Sequence, residues 1–204
     1  MPEELAPPPL GLLLRAIAGE PAAVEELTRM FLPRVYGLCL RISRQQEIAE
    51  DATQETFVRA LRALPKLRQT DRFVSWILVI AANTTRELLK KQAREGKLGE
   101  ELDQLELEPS ATEDSRQAAV DHALSQLAPT ERELFLLHSV EGVRLGELAE
   151  QCQQTVPALK SRLHRTRAKI RTLAFRFLSE SAGSRDLDSI DPEEMNPNDR
   201  SAPA

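Results

Sequence analysis

Apolar residues recur every three or four positions through most of this chain, and no segment alternates apolar with polar residues as a half-buried strand does. The spacing places apolar side chains on one face of a helix, because a helix completes a turn in about 3.6 residues. Aromatic residues make up only 4% of the chain, whereas Ala, Leu, Glu and Arg are abundant, which also favours helices. The sequence therefore predicts an all-α fold.

The first helical region extends from about residue 10 to residue 64. Pro21 suits the first position of a helix, and Pro33 is expected to kink or divide that helix. A second predicted helix has an inner face of Ile48, Ala52, Phe57, Leu61 and Leu64. A third, which we expect Thr70 or Asp71 to cap, has an inner face of Phe73, Trp76, Ile77, Ile80, Ala81, Thr84 and Leu88. Together these helices predict a compact bundle.

A second helical module follows a polar, acidic stretch that we interpret as a linker, with room for a short helix. The sequence TERE, from Thr130 to Glu133, matches a capping box at the start of a helix. GVRLGELAEQ predicts a short helix and CQQ a turn, after which Thr155 is a good N-cap and Pro157 is tolerated in the first turn. A short helix, a tight turn and a longer basic helix are the outline of a helix-turn-helix.

Charge is segregated along the chain, although the net charge is only −5. Residues 59–94 hold nine Lys or Arg against two acids, and residues 155–178 hold seven and no acid. Residues 95–115 hold eight acids against one lysine, and residues 179–204 hold seven against two arginines. Two basic modules are thus separated and followed by acidic segments. This asymmetry predicts polyanion binding at two places.

The basic segment after Thr155 divides into four faces on a helical wheel. The buried stripe comprises Val156, Leu159, Leu163, Ile170, Leu173 and Phe177. Its two flanks carry Lys160, His164, Arg167 and Arg171 on one side and Arg162, Arg165, Lys169 and Arg176 on the other. The face opposite the stripe has small residues: Ser161, Ala168 and Thr172. Small residues let a helix approach the floor of the major groove while flanking cations reach phosphates, so we favour DNA binding over a merely solvated basic face.

Other classes of protein find little support. The start MPEELAPPPL is unlike a signal peptide, and FVSWILVIAA is too short to span a membrane, so we expect a soluble cytoplasmic protein with no membrane insertion. Cys39 and Cys152 both lie in apolar patterns and are expected to be buried free thiols. The three histidines lack ligand-like spacing with either cysteine, and no glycine-rich phosphate loop or paired nucleophile and base is present. We expect no catalytic residue, metal or cofactor.

The order of three motifs resembles that of the bacterial extracytoplasmic-function (ECF) sigma factors of the sigma-70 superfamily. EIAEDATQETFVRALRAL resembles region 2.2, FVSWILVIAANTTRELLKK regions 2.3 and 2.4, and ELAEQCQQTVPALKSRLHRTRAKI the region 4 helix-turn-helix. The resemblance implies two small helical domains, region 2 at residues 10–92 and region 4 at 117–178. An acidic flexible linker at 93–116 joins them. Residues 1–9 and the acidic tail at 179–204 are expected to be disordered.

The resemblance also implies a function: an RNA polymerase sigma factor that binds core polymerase, recognises the −35 and −10 promoter elements and promotes DNA melting for a specialised regulon. The expected core-polymerase contacts are Asp51, Gln54, Glu55 and Arg59. The expected −10 contacts are Lys66, Arg68, Asp71, Asn83, Arg86 and Lys90. The expected −35 contacts are Thr155, Lys160, Ser161, Arg162, His164, Arg165, Arg167 and Lys169. The partners implied are bacterial core RNA polymerase, promoter DNA and an anti-sigma factor.

Alternatives remain open for some of these residues and for the whole chain. Asn83 suits a buried, satisfied position as well as a DNA contact, and Trp76 suits the core better than a stacked base. Gln153 and Gln154 stand where the family usually has a turn glycine and an apolar residue, which predicts strain if a positive φ is kept. An autonomous helix-turn-helix regulator explains the basic helix alone, and a helical adaptor explains the charge blocks alone. The acidic tail or linker is expected to compete with DNA for the basic helices.

Overall fold

The computed structural model describes residues 7–95 and 115–188, and in these ranges the regular structure is entirely helical. The first range contains α1 (Leu10–Ile17), α2 (Pro21–Ser43), α3 (Gln46–Ala63) and α4 (Phe73–Arg94), with short 3₁₀ turns at Leu64–Lys66 and Thr70–Arg72. The second contains α5 (Ser115–Ser125), α6 (Pro129–Phe135), α7 (Leu145–Cys152) and α8 (Val156–Asp188). A π-helical turn at Leu136–Val140 continues α6. The predicted all-α class is confirmed.

The core of the first bundle lies where α2, α3 and α4 pack against one another, with α1 against α2. Phe31 and Phe73 meet edge to face with ring centroids 5.1 Å apart, and both are fully buried. Pro21 begins α2 as predicted, but Pro33 does not divide it, since the helix continues without interruption to Ser43. Trp76 is half-buried and lies against Phe73 with centroids 5.7 Å apart, which agrees with a core position.

The buried face of α3 differs from the prediction. Small residues line it: Ala49, Ala52, Thr53, Thr56 and Ala60. Ile48 and Phe57 are only half-buried, and Leu61 is exposed. Small side chains let α3 lie close to both α2 and α4, and the hydroxyl of Thr53 donates to the Ala49 carbonyl at 2.6 Å, so its burial leaves no unpaired donor. Ala52 and Leu64 are buried as predicted, whereas Ala49, Thr56 and Ala60 take the buried places expected for their neighbours Ile48, Phe57 and Leu61.

Neither Thr70 nor Asp71 caps α4, which corrects a second prediction. Both lie in the 3₁₀ turn Thr70–Arg72, and Arg72 is the residue that precedes the helix. No side chain caps that end, although the Ser75 hydroxyl donates to the Arg72 carbonyl at 3.0 Å. The loop thus enters the helix through a tightened turn, in which Asp71 is exposed and Thr70 is half-buried.

The second module is organised around α8, which packs against α5, α6 and α7. The rings of His122 and Phe177 stack with centroids 4.8 Å apart and join α5 to the later part of α8. The capping box is displaced from its predicted place: α6 begins at Pro129, and Glu131 accepts a hydrogen bond from the Ala128 N–H at 3.2 Å. Glu133 is buried instead of capping a helix.

Three further expectations concern the ends of the chain and the cysteines. Helix α8 continues to Asp188, so the first residues of the acidic tail extend the helix, while the rest of the tail and residues 96–114 of the linker lie outside the described ranges. Cys39 is buried as expected, and burial raises the pKa of its thiol. Cys152 is exposed, contrary to the prediction, because it lies in the last turn of α7, beside the helix-turn-helix turn.

Candidate functional site

The basic helix begins as predicted, with the Thr155 hydroxyl accepting the Ala158 N–H at 3.3 Å. Its buried stripe holds Leu159, Leu163 and Ile170, and Thr166 joins them at 2% exposure. Val156, Leu173 and Phe177 are half-buried at the edges of this stripe. The opposite face, with Ser161, Ala168 and Thr172, is exposed. One side of α8 is therefore buried within the second module, and the opposite side is exposed to solvent.

The predicted −35 residues on α8 fall into two groups. Three are held by neighbours within their own module: Arg162 donates to Gln154 and Arg167 to Ser139, each at 3.0 Å, and Lys169 pairs with Glu131 at 3.0 Å. The other four are exposed and make no side-chain hydrogen bond or ion pair within the described ranges: Lys160, Ser161, His164 and Arg165. The unpaired group contains the residues expected nearest the bases. The paired group braces the helix on α6 and the preceding turn.

The turn before α8 adopts the strained geometry that its sequence predicted. Gln153 has φ 52° and ψ 40°, in the left-handed region that favours glycine, and it ends α7. The Gln154 N–H is bonded to the Ala149 carbonyl at 3.0 Å, which closes the turn. A glutamine thus fulfils the role usual for glycine, and the helix-turn-helix connection forms without it.

The predicted polymerase-contacting residues lie on one side of α3, because positions 51, 54, 55 and 59 are spaced by three and four. Asp51 and Gln54 are exposed and carry no polar contact within the described ranges. Arg59 donates to Glu55 and to Glu87 of α4, each at 2.7 Å. The hydrogen bonds to Glu55 and Glu87 raise the pKa of Arg59. The face is thus polar and preorganised, and Asp51 and Gln54 offer acceptors that no other described residue uses.

The predicted −10 residues lie on the loop between α3 and α4 and along α4. Lys66, Arg68 and Asp71 are exposed in the loop. Asn83, Arg86 and Lys90 follow one another along α4 at spacings of three and four, and Lys90 is exposed. Asn83 is half-buried, which favours neither of its two interpretations. The structure brings a cationic loop and a polar helix stripe to the same bundle.

Arg86 has a partner that the sequence did not indicate. Its guanidinium binds the Glu133 carboxylate of α6 through two hydrogen bonds, one of them from Nε to Oε2 at 2.9 Å. The hydrogen bond to Glu133 raises the pKa of Arg86, and burial opposes this effect only in part. Comparable contacts join other arginines of the first module to Glu141 and Glu147 of the second. The sequence analysis did not predict these contacts between the modules. It assigned Glu133 to a capping box and did not single out Glu141 or Glu147.

Two family models match the two halves of the chain: Sigma-70 region 2 over residues 27–95 and Sigma-70 region 4 over residues 117–170. The chain is 32% identical over 186 residues to the ECF RNA polymerase sigma factor SigE of Mycolicibacterium smegmatis, an alignment that covers 86% of this chain and 72% of that protein. This chain is an ECF sigma factor of the sigma-70 family. The autonomous regulator and the adaptor are therefore not favoured.

Further relatives and solved structures agree with this family assignment. RNA polymerase sigma factor CarQ of Myxococcus xanthus is 32% identical over 158 residues, covering 76% of this chain and 91% of that one. The structure of CnrH in complex with the cytosolic domain of CnrY is 25% identical and matches with a TM-score of 0.56, covering 79% of this sigma factor and 94% of that chain. The sigma factor RpoE in complex with the anti-sigma factor NepR from Bartonella quintana, at 20% identity and a TM-score of 0.63, shares the fold over 73% and 94%.

Within the described ranges of the sigma factor, no helix combines the length and the apolar character needed to cross a bilayer.

Proposed function

We propose that this sigma factor reads the −35 promoter element with the exposed side of α8. The observation that carries the proposal is the division of α8 into residues that are paired within the module and residues that are not. Lys160, His164 and Arg165 stand beside Ser161 with no partner among residues 7–95 and 115–188, so binding a base edge or phosphate costs them no contact within those ranges. Thr155, at the helix start, suits a phosphate contact. Arg162, Arg167 and Lys169 support the helix and reach phosphates at its borders.

The region 2 bundle is proposed to read and hold the melted −10 element. Lys66, Arg68 and Asp71 would contact a base turned out of the duplex, and Asn83, Arg86 and Lys90 the strand beside it. Extracting a base costs a few kcal/mol, which contacts to the base and to phosphates of the exposed strand can offset. The exposed cationic loop supports this assignment. The chain itself would carry out no covalent chemistry, since polymerase supplies the catalytic site.

Core polymerase is proposed to dock on the α3 face formed by Asp51, Gln54, Glu55 and Arg59. Its support is the fixed polar geometry of that face and the two acceptors that protrude from it. The work would take place in the cytoplasm, where polymerase is. Because two structural neighbours were solved with proteins bound, one of them named an anti-sigma factor, an anti-sigma factor is the second protein partner that we propose for this chain.

The test is a native-gel titration of the purified full chain against bacterial core RNA polymerase, with a housekeeping sigma factor as competitor. We expect one-to-one, competitive binding that Asp51→Ala and Glu55→Ala each weaken. Glu25→Ala is the matched control, because Glu25 is an exposed acid of α2 that pairs with Arg29 of the same helix. Equal weakening by all three substitutions would show that lost charge, not the α3 face, matters. Absence of binding by a folded chain would refute the proposed docking.

A further inference from the structure

The turn before α8 contains a side-chain hydrogen bond that the usual family pattern cannot make. Arg162 Nη1 donates to Gln154 Oε1 at 3.0 Å, across eight positions of the chain. The family usually has an apolar residue at the position of Gln154, and an apolar side chain offers no acceptor. This contact therefore depends on the departure of this chain from that pattern.

The orientation of the Gln154 amide follows from the chemistry of its partner. A guanidinium can only donate hydrogen bonds, so the amide oxygen, and not the nitrogen, must face Arg162. The main-chain N–H of Gln154 is bonded to the Ala149 carbonyl at 3.0 Å, which holds the backbone of the same residue. Gln154 is exposed, and its Nε2 donors have no hydrogen-bond partner among residues 7–95 and 115–188.

This orientation selects among the groups that DNA presents. Glutamine reads an adenine edge with both its amide oxygen and its amide nitrogen, and Arg162 already uses the oxygen of Gln154. A phosphate group has acceptors only, so it suits an amide whose nitrogen alone is available. In a helix-turn-helix the first helix crosses the DNA backbone and the second enters the major groove, so the turn between them lies beside phosphates.

We propose that Gln154 is a phosphate-binding residue of the −35 site, held in its donor orientation by Arg162. The proposal rests on the proposed function, because it assumes that α8 enters the major groove. The other N–H groups of Arg162 have no hydrogen-bond partner within the described ranges, so both side chains can donate to one phosphate. The pair borders a cleft of about 370 Å³, which leaves room beside the amide for that group.

The test measures binding of the full chain to two short DNA duplexes of unrelated mixed sequence by fluorescence anisotropy. Gln154→Leu supplies the apolar residue usual in the family and removes the amide. Gln154→Glu keeps an acceptor for Arg162 but replaces the N–H donors by a carboxylate oxygen. We expect Gln154→Leu to weaken binding to both duplexes equally, by roughly fivefold or more, and Gln154→Glu to weaken it further because its carboxylate repels phosphates.

Two controls separate this contact from a general loss of charge or of fold. Gln154→Leu removes no cation, so the slope of log affinity against log salt should stay that of the wild type. Gln117→Leu removes an exposed amide of α5, one that is likewise held by a neighbour, Asp121, and it should leave the affinity unchanged. Circular dichroism checks that each variant keeps its helical content.

A double-mutant cycle tests the positioning by Arg162. If Arg162 orients the amide, Gln154→Leu should cost clearly less in an Arg162→Met background than in the wild type. The side-chain amide signal of Gln154 in a nitrogen–proton NMR spectrum, identified by its loss in Gln154→Leu, should also shift when duplex is added. Additive costs in the cycle would overturn the positioning.

The remaining outcomes separate the proposal from the proposed function. Loss of affinity for only one duplex would show a base contact and overturn the phosphate assignment. Unchanged affinity in Gln154→Leu, with weaker binding by Lys160→Ala and Arg165→Ala, would overturn the role of Gln154 alone. Unchanged affinity in all three variants would refute DNA binding by this side of α8, and the role of Gln154 with it.

Discussion

Replacing Arg132 by methionine should destabilise the chain by about 3 kcal/mol, although within the described residues the hydrogen bonds of its guanidinium all go to main-chain carbonyls and none to a carboxylate. Its side chain is buried and donates four hydrogen bonds to main-chain carbonyls, at distances from 2.8 to 3.2 Å. Hydrogen bonds from a charged donor contribute roughly 1.5–3 kcal/mol each, or about 6 kcal/mol for four at the lower limit. Burial, together with the nearby positive charge of Arg44, lowers the pKa of Arg132 to about 10, and a shift of this size opposes the hydrogen bonds by about 3 kcal/mol. The difference is the expected loss.

Urea unfolding followed by far-UV circular dichroism measures this loss, and in thermal unfolding it corresponds to a melting temperature lower by roughly 6–12 °C. Arg29→Met, at an exposed site of α2, should change the free energy of unfolding by less than about 0.5 kcal/mol. Arg132→Lys should recover less than half of the loss, because one ammonium group cannot reach four carbonyls arranged around a planar guanidinium. A loss below about 1 kcal/mol for Arg132→Met would refute the view that these carbonyls depend on Arg132.

Three further predictions concern region 4. If Arg165 contacts a base, Arg165→Ala should weaken binding to a −35-dependent promoter by about 1–3 kcal/mol and lower transcription from it accordingly. Equal loss of binding on all DNA sequences would show a phosphate contact instead. Gln153→Gly should raise the free energy of unfolding by about 0.5–1 kcal/mol in urea by removing left-handed strain, while Gln154→Gly should lower it. Burial acts to raise the pKa of Glu131, but its hydrogen bonds to Lys169 and to the Ala128 N–H, with the nearby charges of Lys169 and Arg162, together lower that pKa. The contribution of Glu131, up to about 1 kcal/mol, is therefore present above its ordinary pKa and lost as the pH falls through the lowered one, and Lys169→Met should flatten that part of the pH–stability curve.

The buried and exposed faces of α8 could be predicted from the sequence, because its charged side chains must stay in solvent and only one side of the helix is free of them. Seven cations and no acid in the segment confined burial to the stripe that contains Leu159 and Leu163, and both are buried. Thr166 was missed, since a hydroxyl residue between arginines gives no apolar signal. Its burial at 2% exposure completes the stripe between Leu163 and Ile170.

Helix α3 could not be oriented from the same kind of pattern. The positions of its large apolar residues predict a core side that includes Leu61, yet Leu61 is exposed and Ala60 is buried. The buried face of α3 is set by helix packing, because α3 packs on both α2 and α4 and small Ala and Thr side chains let it lie close to them. The size that a packing site permits depends on neighbours distant in sequence, and periodicity carries no information about them.

The ionic contacts between the two modules were equally inaccessible to sequence reasoning, since Arg34 and Glu141 are separated by more than one hundred positions. A charge balance taken segment by segment treats every exposed cation as available to a polyanion. The structure divides them: Lys160 and Arg165 are available, whereas Arg86 is already neutralised by Glu133. Part of the basic character of region 2 is thus used in contacts with region 4. The net charge of a segment therefore overestimates the positive charge that it can offer to DNA, because an arginine held by a glutamate of the other module must first give up that contact.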